Sequence, residues 1–215
     1  MEYMGLLLIF WYGVLHAFGP DHLTAIADFS IGKNKRKTML ITTLFAVGHG
    51  LSLLLFAKIL EMYNISEELM GYGDLISAAV ILGIGVYLLF MVFTNRINVN
   101  KHMHEGKEHV HIYFGKEHNH SNSNKEVVSA FTIGMLMGIG GVRGMLITLG
   151  LVEASSVNVY MVLAFTLGVM VIFVAFGACI LFINKNVLHS TRNVKRAFSF
   201  AGLISILVGS NMLLS

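Results

Sequence analysis

The chain has 215 residues, of which 55% are hydrophobic and only 13% charged, with a formal net charge of +3. A soluble domain carries about 25% charged residues, so the composition excludes an ordinary water-soluble fold and points to one membrane-embedded domain. The single cysteine, Cys179, lies in an apolar run, which excludes a disulfide framework.

Six apolar stretches follow one another, at 4–27, 38–62, 74–94, 127–151, 158–183 and 197–214. Each is long enough to cross a hydrocarbon core of about 30 Å, which takes roughly 20 helical residues. Backbone in lipid must satisfy its own hydrogen bonds, so all six are expected to be helices. The first stretch starts at once, without a basic lead or a small-residue cleavage site, and is read as part of the mature protein.

That first stretch contains "HAFGPDH" (16–22), with the chain's only proline. Pro20 cannot donate to the carbonyl of His16 four residues back, so the helix is expected to kink or break there and free that carbonyl as an oxygen ligand or water site. In an unbroken helix the rings of His16 and His22 would point about 120° apart; a break lets both turn, with Asp21, toward one point. Thr24, a little further on, reads as a packing hydroxyl, and Asp28 as a solvated charge at the membrane boundary. The run KNKRK (33–37) reads as a juxtamembrane topology anchor rather than a nuclear signal, and no nucleic-acid partner is expected.

In the second stretch, "FAVGHGLSL" places His49 eleven residues after Thr38. His16 stands twelve residues after Met4, entering from the other side, so a rise of 1.5 Å per residue sets both at a depth of roughly 16–18 Å. Gly48 and Gly50 permit close helix approach beside His49, while Ser52 is a further packing hydroxyl. His16, Asp21, His22 and His49 thus form a candidate ligand set. Imidazole suits nickel, copper, zinc and cobalt, whereas an oxygen-preferring ion would not need it. Lys58, near the end of this stretch, is expected to snorkel.

The third stretch leads into a polar segment, 95–126, which reads as an unpacked linker. It carries three His-x-His pairs, His102/His104, His109/His111 and His118/His120. Histidine-rich tracts bind transition metals, and a His-x-His pair in extended chain turns both rings to one side. His189, further on, reads as incidental. The fourth stretch holds Arg143 well inside the apolar run, where a lone charge needs a partner or water.

Loops 28–37, 95–126 and 184–196 contain all but two of the 15 lysines and arginines, and the intervening loops contain none. The positive-inside rule then makes these loops cytoplasmic and sets both termini outside. Three spans on each side of the long loop read as a 3+3 inverted repeat, with a first repeat at 1–94, a histidine-rich loop at 95–126 and a second repeat at 127–215. Laying "HAFGPDHLTAI" over "GIGGVRGMLIT" sets Asp21 opposite Arg143, which makes Arg143 a candidate gating or charge partner. The expected fold is an all-α integral membrane protein of six transmembrane helices, the first broken near Pro20.

His16, Asp21 and His22 spell H-x4-D-H, which resembles the signature of the nickel/cobalt transporter (NiCoT) family and its wider NicO relatives. "FAVGHG" around His49 is similar to the histidine motif of that family's following helix, and "GMLMGIGGVRG" (134–144) to its glycine-rich motif. Val142 and Arg143 stand where that motif carries aspartate and threonine, and six spans are fewer than the common eight, which is closer to the compact NicO branch. The resemblance implies a plasma-membrane permease for Ni²⁺ or Co²⁺ as substrate, with no prosthetic group and no enzymatic activity. Uptake is favoured by the acidic outer loops. Its partners would be the ion, the bilayer and a second copy or further transport subunit. The competing readings are an efflux permease and a membrane-bound metalloenzyme or acyltransferase-like enzyme that uses the H-x4-D pair.

Overall fold

A computed structural model describes residues 2–62, 67–104, 107–114, 123–151, 159–188 and 190–214. The order is α1 (Glu2–His16), α2 (Pro20–Ser30), α3 (Lys35–Met62), α4 (Glu67–Phe93), β1 (Ile97–His104), β2 (Lys107–Phe114), α5 (Ser123–Leu151), α6 (Val159–Asn186) and α7 (Thr191–Leu214). Among the described residues, Lys35–Phe56, Gly71–Phe93, Val159–Asn186 and Thr191–Leu214 are long and apolar enough to cross a membrane. Large apolar side chains cover the outside, including Trp11, Leu51, Phe90, Leu167, Phe182 and Leu207. Polar ones lie inside: His22, Thr24, Asp28, His49, Ser52 and Ser205 are buried. Polar groups turned inward with an apolar exterior are what a lipid solvent selects.

The first apolar stretch breaks where the sequence indicates. Helix α1 ends at His16, and Pro20 occupies the first turn of α2, where its missing N–H is not needed. The carbonyl of His16 is not freed, however, because the amide of Gly19 donates to it at 2.9 Å and closes a tight turn. Helix α2 then runs through the middle of the bundle and touches α3, α4, α5, α6 and α7. Its far end is pinned by Asn184 of α6, whose Nδ2 donates to the carbonyl of Ser30 at 2.8 Å and whose Oδ1 accepts from the amide of Gly32 at 2.9 Å. Gly32 has a φ of 75°, a conformation that glycine adopts without strain.

Around α2, α3 packs on α5 and α6, α4 packs on α5 and α7, and α1 packs on α6. The main crossings are made at glycines. A Cβ on Gly134 or Gly138 of α5 would run into the carbonyl of Phe45 or His49 on α3, and one on Gly168 of α6 into the carbonyl of Phe10 on α1. A Cβ on Gly85 of α4 would stand 2.8 Å from the carbonyl oxygen of Gly202 on α7. Backbones that approach this closely gain dispersion contacts that longer side chains would prevent.

The segment 95–126, read as an unpacked linker, contains an antiparallel hairpin that adds two strands to the helical fold. Its register pairs Ile97 with Phe114, Val99 with Ile112 and His102 with His109. The reason is period-2 alternation: Ile97, Val99, Met103, Val110, Ile112 and Phe114 fall on one face, and the positions of His102, His104, His109 and His111 on the other. Ile97 is buried in a cluster with Leu88, Leu188 and Phe198, which attaches the ribbon to the ends of the helices. His118 and His120 lie outside the described residues.

If the α3–α5 contact depends on glycine, Gly134→Ala should destabilise the fold by about 1–3 kcal/mol, the usual cost of overpacking. Thermal unfolding of the purified protein in detergent measures this. Alanine at Gly83, where a Cβ would meet nothing within 4 Å, should leave the midpoint unchanged.

Candidate metal centre

His16 is the last residue of α1, His22 lies in the first turn of α2, and His49 is near the middle of α3. The interrupted first stretch brings the three imidazoles together. Ring centroids are 4.7 Å apart for His16–His22, 4.9 Å for His22–His49 and 5.4 Å for His16–His49. One ring nitrogen from each lies within 4.8 Å of the others. Two nitrogens held by one ion at about 2.1 Å stand at most about 4.2 Å apart, so a shift of less than about 1 Å would close the set.

The nitrogens are available. Nε2 of His16, Nε2 of His22 and both ring nitrogens of His49 are buried and have no hydrogen-bond partner among the described residues. A buried polar atom without a partner costs about 1–3 kcal/mol, so one such nitrogen on each of three adjacent rings calls for a ligand. Three histidines directed at one point with lone pairs free are a donor set for a divalent transition metal.

Asp21 stands beside this trio rather than within it. Its Oδ1 accepts from Nδ1 of His22 at 2.8 Å. A carboxylate can only accept, so in this bond the ring hydrogen sits on Nδ1, which leaves Nε2 as the ring nitrogen that could bind an ion. A carboxylate behind a histidine in this way fixes tautomer and ring orientation. Room for the pair exists because residue 19 is glycine: a Cβ there would lie 2.6 Å from Asp21 Oδ1 and 2.9 Å from His22 Nδ1.

The walls come from α5 and α6. Phe165 packs on His16 with centroids 5.2 Å apart, and Phe173 on His22 at 5.8 Å. Gly141 of α5 closes the remaining side; a Cβ on it would sit 3.2 Å from His49 Nε2 and 3.3 Å from His16 Nε2. The glycine-rich stretch of α5 was legible in the sequence, but which glycine faces the histidines was not. Phe165 and Phe173 gave no signal beyond ordinary apolar residues.

The remaining candidates are dispersed. Thr24 donates its hydroxyl to the carbonyl of Pro20 and is occupied as a packing group. Ser52, one turn beyond His49, is buried without a partner among the described residues. Arg143 belongs to α5, and its side chain lies outside the described residues. Asp28 corrects the sequence reading: it is only 7% exposed, not a solvated boundary charge, because Ser205 of α7 covers it.

No family model, curated protein or solved structure matches the chain.

Because the space between the ring nitrogens adjoins Gly141, Gly141→Ala should lower affinity for Co²⁺ at least tenfold while the unfolding temperature stays near that of the wild type. Co²⁺ titration followed by visible absorption, beside a thermal melt, reads both quantities. Unchanged affinity would show that the added methyl does not reach the nitrogens.

Proposed function

We propose that the chain is a membrane permease for a divalent transition-metal ion, Ni²⁺ or Co²⁺, and that His16, His22 and His49 form its intramembrane site with Asp21 orienting His22. The observation that carries this reading is the convergence of unpartnered histidine nitrogens inside an apolar helical bundle. Ionisable groups at such a place mark ion paths. The H-x4-D-H resemblance supports nickel or cobalt as the ion and, as the reaction class, movement of the ion across the bilayer without chemical change.

Two further features fit a permease. The main helix contacts map onto one another when the two halves of the chain are exchanged, α3·α5 onto α1·α6 and α4·α5 onto α2·α7, with α3·α6 and α4·α7 onto themselves, whereas α2·α3 and α2·α4 have no such counterpart among the described residues. Six spans in a 3+3 inverted repeat would have this symmetry, and a broken helix at the repeat interface is where such transporters bind their substrate. By the positive-inside rule the basic loops support a cytoplasmic hairpin with both termini outside, and the resemblance supports the plasma membrane as the location. There the histidine face of the hairpin would collect or buffer metal next to the site. Acidic residues in the outer loops favour uptake.

Proteoliposomes that hold the purified protein and a metal-sensitive dye test the proposal. Wild type should carry Ni²⁺ or Co²⁺, and His16→Ala and His49→Ala should each abolish the flux. Asp21→Ala should weaken apparent affinity by about 10–100-fold, the usual effect of removing a carboxylate behind a liganding histidine. Serine at His102, His104, His109 and His111 should change apparent affinity or capacity without abolishing flux. Full flux in His49→Ala would contradict the proposal.

A further inference from the structure

Asp28 is a buried acid that the histidine trio does not use. One carboxylate oxygen, Oδ2, accepts from Ser205 Oγ at 2.7 Å, and the other, Oδ1, is buried with no hydrogen-bond partner among the described residues. Ser205 itself is fully buried and comes from α7, 177 positions away in the chain. A carboxylate buried in an apolar bundle is costly, and a single hydroxyl donor offsets only part of that cost.

Its position along α2 is the second observation. Asp21, Thr24 and Asp28 are spaced by three and then four residues, so they lie on successive turns of one face. Seven residues advance the helix by about 10.5 Å. The stripe therefore begins behind the histidine trio and ends two turns further on, near the α2–α3 turn that Asn184 anchors. Thr24 and Asp28 are both buried, so the stripe faces the bundle rather than lipid.

We propose that Asp28, with Ser205, is a second station for a divalent cation, ligated by oxygen and placed between the histidine trio and the α2–α3 end of the bundle. This rests on the reading of the trio as a transport site. Carboxylate and hydroxyl oxygens hold Ni²⁺ and Co²⁺ less strongly than imidazole does. An ion that leaves the trio would meet a weaker anionic site before water, and an ion arriving from that end would meet it first. The carboxylate stays compensated while the ion is there, and no bond of the protein is made or broken.

The test uses Asp28→Asn, because asparagine keeps an oxygen that accepts from Ser205 while it removes the charge. In proteoliposomes Asp28→Asn should carry Ni²⁺ at least tenfold more slowly than wild type, with Asp28→Glu recovering part of the rate. Co²⁺ absorption from the trio should be unchanged in a chain with serine at the six loop histidines. Wild-type flux in Asp28→Asn overturns the proposal, and so does loss of the Co²⁺ signal, which would make Asp28 a support of the trio. Mn²⁺, which prefers oxygen, separates this proposal from the reading it rests on. By electron paramagnetic resonance, wild type and His49→Ala should bind one Mn²⁺ more than Asp28→Asn. Equal Mn²⁺ binding by all three overturns the station even if the trio transports, whereas failure of His49→Ala to impair transport would overturn the trio alone.

Discussion

Pro20 lacks the amide hydrogen that would have carried the first helix past His16, and the arrangement around the histidines follows from that missing donor. Helix α1 stops, the chain turns over three residues, and α2 starts afresh with Asp21 in its first turn. A fresh helix start offers unsatisfied N–H groups and a positive dipole end. These stabilise an acid by about 0.3–1 kcal/mol, up to about 2 when partly buried. A charge-assisted hydrogen bond such as the one from His22 adds about 1.5–3 kcal/mol. Together they match the roughly 2.5–3.5 kcal/mol that an aspartate costs within a membrane. The break that interrupts the helix therefore also compensates the acid it places there.

Glycine sets the second constraint. Gly134, Gly138 and Gly141 fall on one face of α5 at spacings of four and three, against the backbone of α3 or the rings themselves. The first two draw α5 onto α3, and the third leaves open the space at the ring nitrogens. The same residue type thus serves packing at two positions and vacancy at the next. On the opposite side Phe165 and Phe173 hold the rings by apolar contact, which leaves the nitrogens without competing donors. Lone pairs set between phenyl rings and a glycine suit a ligand that accepts nitrogen donors.

Much of this was legible in the chain alone, for reasons that differ from residue to residue. Pro20 fixes a helix end by covalent structure, so the break could be placed to within a turn. A constant rise per residue sets His16 and His49 about equally far along their stretches, which made their meeting an expectation, and their ring centroids are 5.4 Å apart. The role of Asp21 was not legible, because whether a carboxylate faces an ion or the back of a histidine depends on one side-chain torsion. Asp28 was misread because its partner, Ser205, is remote in sequence and no local pattern joins them. The hairpin was missed although its alternation was present: histidines at every second position were taken as a metal-binding composition, and the apolar residues between them were not weighed.

In the proposed arrangement, three histidines from α1, α2 and α3 hold one divalent transition-metal ion inside the bundle. X-ray absorption of Ni²⁺ bound to the purified chain, with serine at all six loop histidines, reads the ligand set. Three imidazole ligands at about 2.1 Å are expected, falling to two in the same chain with His49→Ala. A spectrum with oxygen ligands only, or one that His49→Ala leaves unchanged, would contradict this arrangement.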